Sequence, residues 1–291
     1  MSTPQLTIDS VPSLGASYLA AAAGALRPVR EVAGPLITPE LVTTGVRVPS
    51  GTVTAYQHLV GASLRDTVPT VVLHGTLFPL ALTLMRRGDF PLPLTGLVHL
   101  RNEVRLHRPV GIDEELTLRV RAEDLTAHHA GTAVWIVGTA SAGDTDVFTT
   151  RSLYLARGVK LQGTSRPQAP EHPEFVPPLP TGAWRLDGAT GRRYAAVLGD
   201  YNPIHLTPLT ARVAGRKRPI AHGMYLAGRA LAGLEPADAG FSWEIEFATP
   251  VSLPGTVSYR VERSADGSAE FLGWDARRNR PHFNGRVSAP R

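Results

Sequence analysis

The second half of the chain repeats the first, and this repeat constrains the fold more than any other feature. Residues 109–112 align with residues 250–253, and without a gap residues 116–120 then fall on residues 257–261. Upstream, with gaps allowed, two more matches follow in the same order: residues 56–61 with residues 194–199, and His74-Gly75 with His222-Gly223. Because all these matches occur in the same order, an internal duplication explains them better than chance. The sequence therefore predicts two similar units packed side by side.

Each unit is expected to combine helix and sheet. Apolar residues alternate with polar ones over residues 116–122, which predicts a strand with one face on the core. Residues 131–142 and 146–156 predict further strands of the same sheet. Within the apolar run at residues 71–85, His74-Gly75 is expected to lead into a buried helix. Pro79 should kink or break this helix unless it lies in the first turn, because proline lacks the backbone N–H. A helix followed by a run of strands indicates an α+β fold.

The segment at residues 157–180 separates the two units. It contains six prolines and little apolar periodicity, so it predicts a connection rather than part of a core. The expected organisation is an N-terminal lead-in at 1–49, a first unit at 50–157, a proline-rich linker at 158–180 and a second unit at 181–291. Residues 14–26 predict an amphipathic or buried helix rather than a secretion signal, because residues 1–10 carry no positive side chain.

The composition excludes several classes of function. Hydrophobic residues make up 43% of the chain and charged residues 19%, a balance typical of a packed globular protein. The formal net charge is +5, but no basic cluster exceeds three residues, which argues against nucleic-acid binding. The chain has no cysteine, so disulfides and thiolate chemistry are excluded. No apolar run reaches the ~18 residues of a membrane-spanning helix, and a cytoplasmic location is expected.

The second unit has a chemical motif that the first lacks. Residues 199–205 read Gly-Asp-Tyr-Asn-Pro-Ile-His, whereas the aligned residues 61–67 contain no comparable pair of side chains. The Asn-Pro step favours a tight turn that would bring Asp200 and His205 to one shared water. Such a pair suits general acid–base catalysis, because burial and neighbouring charges can tune both pKa values. Either residue alone would more often be a turn cap or a satisfied polar group.

A second motif favours catalysis over that structural alternative. Residues 219–224 read Pro-Ile-Ala-His-Gly-Met and precede an Ala- and Gly-rich segment that predicts a helix at residues 225–234. A helix N-terminus presents unpaired N–H groups, and a glycine there lets a ligand approach the backbone closely. Gly223 is therefore a candidate backbone donor to an oxygen that gains negative charge during a reaction. The alternative is that this glycine simply begins a helix.

Together, residues 194–205, Ala211 and residues 219–224 resemble the signature of the MaoC-like (R)-specific enoyl-thioester hydratases and 3-hydroxyacyl-thioester dehydratases. The resemblance implies a hotdog fold, in which a curved antiparallel sheet wraps a long central helix. Two such units in one chain, one of them degenerate, are similar to the double-hotdog members of that family. The expected fold is therefore a double hotdog of the α+β class.

By position, the resemblance makes Asp200 and His205 the catalytic pair of a hydro-lyase. It implies that Asn202 orders the loop and the substrate, and that Gly223 donates its N–H to the thioester carbonyl. The implied reaction is the reversible hydration of a trans-2-enoyl thioester to an (R)-3-hydroxyacyl thioester in fatty-acid metabolism. One departure is Leu198, where the family usually has a serine or another small residue.

The resemblance also implies how substrate binds. The degenerate first unit would shape the acyl pocket, and its candidate lining residues are Leu77, Phe78 and Pro79. A basic triplet could contact phosphates of coenzyme A or an acidic acyl carrier protein, or could be a solvated loop: Arg216, Lys217 and Arg218.

Neither a metal nor a cofactor is expected, apart from coenzyme A or acyl carrier protein as the carrier of the substrate. The fused units would form a pseudo-dimer within one chain, and further pairing into a homodimer stays open. Two other functions also stay open from the sequence. One is a hotdog acyl-thioesterase, which would also use a carboxylate and a helix N-terminus. The other is a non-catalytic subunit that binds acyl thioesters or acts as a scaffold.

Overall fold

The computed structural model describes residues 4–12, 29–94, 96–171 and 173–288. The helix predicted at residues 14–26 lies outside them. The described part of the first half contains β1 (Gln5–Thr7), β2 (Glu31–Val32), β3 (Glu40–Val46), α1 (Ser50–Val60), α2 (Thr70–Met85), β4 (Leu97–Leu106), β5 (Leu116–His128), β6 (Gly131–Ala142), β7 (Thr145–Arg157) and β8 (Lys160–Leu161).

The second half follows with the same kinds of element. It contains β9 (Gly182–Leu186), α3 (Thr190–Leu198), a 3₁₀ helix (Pro203–His205), α4 (Pro208–Val213), α5 (Gly223–Leu231), β10 (Phe241–Phe247), β11 (Gly255–Arg263), β12 (Ala269–Asp275) and β13 (Arg280–Val287).

The strand order confirms the predicted repeat. Eleven strands form one sheet in the order β1-β3-β5-β6-β7-β4-β10-β13-β12-β11-β9, and every neighbouring pair except β1–β3 is antiparallel. Outward from the centre, β4-β7-β6-β5-β3 on one side matches β10-β13-β12-β11-β9 on the other. The two halves are therefore copies of one topology joined edge to edge.

The helices complete the match. α1 and α3 both end at a glycine in the left-handed conformation, Gly61 and Gly199, as the alignment of residues 56–61 with 194–199 predicts. α2 packs against β5, β6 and β7, and its residues are buried on nearly every side. α5 is buried in the same way and packs against α1 and α2. Each half thus has one buried helix and a matching set of strands, and the α+β double-hotdog fold is confirmed.

Two details of α2 differ from the sequence interpretation. The helix continues through Pro79 to Met85, so the predicted break does not occur. Thr83 Oγ1 donates a hydrogen bond to the Pro79 carbonyl oxygen at 2.8 Å within this unbroken segment. The helix also begins at Thr70, four residues before His74, whereas α5 begins at Gly223, directly after the aligned His222. The aligned histidines therefore lie inside one helix and at the start of the other.

Contacts between the halves explain the early start of α2. The Glu235 carboxylate, just beyond α5, accepts a hydrogen bond from the Thr70 backbone N–H at 3.3 Å and another from the Thr70 hydroxyl. Trp243 Nε1 on β10 donates to the same hydroxyl at 2.9 Å. Side chains from the second half thus take the place of a local helix cap, and the two halves share one interior.

The domain limits remain a prediction, but β3 at Glu40–Val46 lies before the expected start of the first unit at residue 50 and pairs with β5. The short pair β2–β8 joins the predicted lead-in to the start of the predicted linker. Among the described residues, no helix combines the length and apolar character that crossing a membrane requires.

Candidate active site

The loop that follows α3 is ordered by its own polar side chains. Gly199 ends the helix with φ of 78°, a conformation that glycine adopts without strain. Asp200 Oδ1 accepts a hydrogen bond from the Asn202 N–H at 3.3 Å, and Asn202 Oδ1 accepts one from the Ile204 N–H at 3.3 Å. Asn202 thereby caps the 3₁₀ helix that ends at His205. These two hydrogen bonds order the loop between α3 and His205.

His205 is buried and held in one tautomer. Its Nδ1 lies 2.8 Å from the Ile220 carbonyl oxygen, which can only accept a hydrogen bond, so Nδ1 carries the proton. Burial lowers the pKa of His205 well below its ordinary value, and the neighbouring His222 and Arg216 lower it further. The ring is therefore neutral near pH 7, with a free lone pair on Nε2 that can accept a proton.

A close backbone contact sets the position of His205. A Cβ atom on Gly191 in α3 would lie only 2.0 Å from the His205 carbonyl oxygen. Only glycine lets the 3₁₀ helix approach α3 this closely. Sequence reasoning missed this residue, because nothing in its local pattern distinguishes a glycine of close approach from any other.

His222 joins the pair that the motif identified. Its imidazole ring stacks on that of His205, with ring centroids 3.7 Å apart and planes inclined by 28°. Its Nε2 lies 2.9 Å from the Asp200 carbonyl oxygen and 3.8 Å from the Asp200 carboxylate. From the sequence pattern, His222 is expected only as part of a helix start.

These three residues could in principle hold a metal ion, because donor atoms of Asp200, His205 and His222 lie within 4.8 Å of one another. The stacking argues against it. An imidazole binds a metal along the plane of its ring, and two rings stacked face to face cannot both direct a nitrogen at one ion. In addition, each ring already uses one nitrogen to donate to a backbone carbonyl. The arrangement fits proton transfer better than metal coordination.

Gly223 is the first residue of α5, where the backbone N–H has no partner within the helix. A Cβ on this residue would lie 2.9 Å from Cζ of Phe247 on β10, closer than carbon atoms pack. The aromatic ring therefore leaves no room for a side chain at this helix start. The Gly223 N–H directly follows His222, which contacts both Asp200 and His205.

The first half supplies the opposite side of the site. The ring of Phe247 lies 5.2 Å from that of His99 on β4, and His99 stacks on Tyr154 of β7 at 4.7 Å. Tyr154 in turn is close to Asp200: burial raises the pKa of Tyr154, and the Asp200 carboxylate raises it further. Burial also lowers the pKa of His99 to about 3. The site is thus enclosed by side chains from both halves, which no local motif could reveal.

A narrow cavity of about 10 Å³ extends from Tyr154 into the first half. It is lined by His74, Leu77, Phe78, Ala81, Val120, Ile136, Gly138, Thr150, Ser152 and Tyr154. Two of the three predicted pocket residues, Leu77 and Phe78, are among them. Pro79 is buried in the same helix but does not line this cavity.

Leu198, the departure from the family pattern, contacts the other half. A Cβ on Gly75 in α2 would lie 3.3 Å from a methyl group of Leu198, so the absence of a side chain at Gly75 leaves room for the larger residue. Gly75, which aligns with Gly223, therefore makes room for packing between the two halves. The Asp200 loop follows Leu198 without distortion of its hydrogen bonds.

The basic triplet divides into different environments. Arg216 is close enough to His205 for its charge to lower the pKa of that residue. Lys217 is exposed. Arg218 is exposed too, and its Nη2 donates to the Pro254 carbonyl oxygen at 3.1 Å. Within the triplet, neither Arg216 nor Lys217 has a side-chain hydrogen bond to the backbone of the described residues, in contrast to Arg218.

Comparison with known proteins agrees with this geometry. A family model described as "MaoC like domain" matches residues 166–271. The chain is 33% identical over 267 residues to 3-hydroxyacyl-thioester dehydratase X of Mycobacterium tuberculosis, which covers 91% of this chain and 92% of that protein. It is 35% identical over 88 residues to the (R)-specific enoyl-CoA hydratase of Aeromonas caviae, covering 28% of this chain and 64% of that enzyme.

Solved structures agree as well. A crystal structure of HtdX of Mycobacterium tuberculosis superimposes with a TM-score of 0.73 at 29% identity, covering 85% of this chain and 98% of that one. A MaoC-like dehydratase from Phytophthora capsici superimposes with a TM-score of 0.72 at 18% identity, covering 88% of this chain and 96% of that one, a likeness of fold alone.

Proposed function

Because the chain belongs to the MaoC-like hydratase and dehydratase family, we propose that it catalyses reversible (R)-specific hydration of trans-2-enoyl thioesters and dehydration of (R)-3-hydroxyacyl thioesters in fatty-acid metabolism. It is a hydro-lyase. The observation that carries this proposal is the neutral His205, whose Nε2 accepts a proton while Asp200 lies beside it and the first N–H of α5 lies nearby.

In the hydration direction, His205 Nε2 accepts a proton from water as the hydroxyl group adds to C3. The same proton is then delivered to C2, so the enzyme regains its starting protonation state. Asp200 accepts a hydrogen bond from this water and orients it. The Gly223 N–H donates to the thioester carbonyl oxygen, which becomes negatively charged as the enolate forms. Dehydration follows the same steps in reverse.

This reaction transfers one proton and one hydroxyl group and involves no net oxidation or reduction. It therefore needs no cofactor beyond the carrier that forms the thioester, coenzyme A or acyl carrier protein. A cytoplasmic location is part of the proposal, since the reaction draws on those carriers.

One assay separates this function from the alternatives. Purified protein is given (R)- and (S)-3-hydroxyacyl-CoA, and conjugated enoyl thioester and free thiol are measured separately. Enoyl formation from the (R) isomer alone supports the proposal, and thiol release without enoyl formation indicates a thioesterase. Binding without either product indicates a scaffold subunit.

The catalytic pair has its own test. In Asp200→Asn and His205→Ala we expect kcat to fall by about 10²–10⁴, because each removes a group that handles the proton or the water. Melting temperature should stay near that of the wild type in the isosteric Asn variant. Wild-type rates in both variants would contradict the assignment.

The acyl chain is proposed to enter the cavity lined by Leu77 and Phe78. Support comes from its apolar lining and from Tyr154, which lines the cavity and lies close to Asp200. Ala81→Leu would fill this cavity, so kcat/KM should fall at least about tenfold for long chains but little for four-carbon substrates. The matched control is Ala55→Leu on the exposed side of α1. Equal chain-length profiles in both variants would contradict the pocket.

Arg216 and Lys217 are proposed to attract the phosphates of coenzyme A or the acidic surface of a carrier protein. Their replacement by alanine should raise KM and weaken the dependence of kcat/KM on salt, since exposed charges are screened by ions. Arg218→Ala is the comparison, because that guanidinium already contacts Pro254. An unchanged salt dependence in the double variant would exclude this contact.

A further inference from the structure

His222 contacts three of the groups that the proposed reaction needs. Its Nε2 donates to the Asp200 carbonyl oxygen at 2.9 Å, and its ring stacks on His205 at 3.7 Å. It is also the residue that caps the N-terminus of α5, so its backbone directly precedes the Gly223 N–H. No side-chain capping bond exists at this helix start, which means that the imidazole is committed to the loop and to His205 instead.

The stacking restricts a motion that hydrogen bonding leaves open. His205 has a hydrogen bond from Nδ1 to Ile220, which fixes one point of the ring but not its tilt about that bond. The face of His222 fixes that tilt, and with it the direction of the Nε2 lone pair. His222 also packs against Tyr194, with ring centroids 4.5 Å apart, so it is itself held in place.

The chemistry of the second nitrogen argues against a packing role alone. The Asp200 carbonyl can only accept, so His222 Nε2 carries the proton and Nδ1 is a bare acceptor. That Nδ1 is buried and has no hydrogen-bond partner among the described residues. An unpaired buried polar atom is destabilising, and a phenylalanine of nearly the same shape would avoid it. The hydrogen bond from Nε2 is the one contact that phenylalanine could not make.

The aligned position in the first half provides a contrast. His74 lies one turn inside α2, and its Nδ1 pairs with the Thr150 hydroxyl at 3.1 Å. Its nearest ring partners have centroids 6.4 Å away, so it stacks closely on no other ring among those described. The tight stack and the loop hydrogen bond thus occur only in the half that has the Asp-Tyr-Asn-Pro-Ile-His motif.

We propose that His222 is a positioning residue, which holds the Asp200 loop, the tilt of the His205 ring and the start of α5 in one arrangement. This inference rests on the proposed roles of Asp200 and His205. His222 itself exchanges no proton with substrate. It acts through the two residues that do.

Two substitutions separate its contributions. His222→Phe keeps a flat ring for stacking but removes the hydrogen bond to Asp200, and His222→Gln keeps an N–H donor but removes the ring. His282→Phe is the control, because His282 is a buried histidine of the same half on β13 that contacts Thr249 rather than the site. For each variant, kcat and KM for an (R)-3-hydroxyacyl-CoA and the melting temperature are measured beside Asp200→Asn and His205→Ala.

In His222→Phe we expect kcat to fall by about 10- to 100-fold, since misplacement of reacting groups by an ångström or less is costly. KM should stay within about twofold of the wild-type value, and the melting temperature should not fall. A residue with a purely structural role would instead lower kcat only together with stability. His222→Gln should also lower kcat, because it removes the ring that stacks on His205, and His282→Phe should keep wild-type kcat.

Wild-type kcat in His222→Phe would overturn the inference, as would a loss that only follows lower stability. So would wild-type kcat in His222→Gln, because that variant lacks the ring that is proposed to fix the tilt of His205. If Asp200→Asn and His205→Ala both keep their activity, the proposed site itself is wrong and the positioning role is overturned with it. If those two are inactive while His222→Phe is active, the positioning role alone is wrong.

Discussion

Gly223 is the position where one methyl group should reveal how the site works. In Gly223→Ala the new Cβ would lie 2.9 Å from Cζ of Phe247, about 0.6 Å inside the closest comfortable distance between carbon atoms. Phe247 cannot move freely, because its ring also contacts His99. Either the ring or the start of α5 must shift, and the N–H that we assign to the thioester carbonyl shifts with it.

A displacement of this size should lower kcat by about 10- to 100-fold, or about 1.4 to 2.7 kcal/mol in activation free energy. The melting temperature should not fall for reasons of helix propensity, because alanine favours a helix more than glycine does. The assay follows the conjugated enoyl thioester formed from an (R)-3-hydroxyacyl-CoA, with kcat and KM determined separately.

The steric cause can be isolated by a second substitution. Phe247→Leu removes the ring atom that the new Cβ would meet. The double variant Gly223→Ala/Phe247→Leu should therefore recover at least about a tenth of the kcat that Gly223→Ala loses. Phe247→Leu alone measures the contribution of the ring. A wild-type rate in Gly223→Ala, or a double variant no better than the product of the single effects, would refute the reasoning.

Two further predictions concern stability and backbone approach. In Gly191→Ala the new Cβ would lie 2.0 Å from the His205 carbonyl oxygen, so both the melting temperature and kcat should fall. Gly188→Ala is the control and should change neither, because no atom lies within 4 Å of its Cβ. Equal effects of the two substitutions would contradict the close contact. Burial lowers the pKa of His74 to about 4 from its ordinary 6.5, so the unfolded chain binds more protons between these values. The free energy of unfolding should therefore fall as pH falls from 6.5 toward 4, with about 3 kcal/mol from this group. His74→Phe should flatten that dependence in urea titrations at pH 7 and pH 4.5, and an unchanged slope would show that His74 is not responsible.

The sequence predicted those parts of the molecule that depend on local pattern. Alternating residues predicted β5, the repeat predicted two matching sets of strands, and the turn before His205 predicted an acid beside a base. Each of these signals is contained in a few consecutive residues or in their repetition, so no knowledge of distant contacts was needed.

The rest depends on contacts between segments far apart in the chain. α2 begins at Thr70 because Glu235 and Trp243 of the other half supply its cap, and no residue near Thr70 signals this. From its residue type alone, Pro79 is expected to break a helix. In the fold, α2 is buried against the sheet and continues through Pro79. The stacking of His222 on His205 could have been suspected from two histidines in adjacent motifs, but only the fold places them in contact.

Tyr154 and His99 illustrate the same limit at the site. Both belong to strands of the half that lacks the motif, and neither stands out in its own strand pattern. His99 contacts Phe247 of β10 and Tyr154 lies close to Asp200, and the pairing of β4 with β10 at the centre of the sheet brings these residues of the two halves together. A search confined to the second half would therefore omit part of the enclosure of the site.

That central pairing also limits how this chain can assemble. β4 and β10 pair over six residues on each strand, and Arg101 forms ion pairs with Glu244 and Glu246 across the junction. The edge through which a separate hotdog unit would meet a second copy is consequently occupied within one polypeptide. If two chains associate into a homodimer, they must do so through the outer strands β1 and β9 or through a surface outside the sheet. Quaternary contacts of this protein are thus free to change without disturbing the residues that meet at its centre.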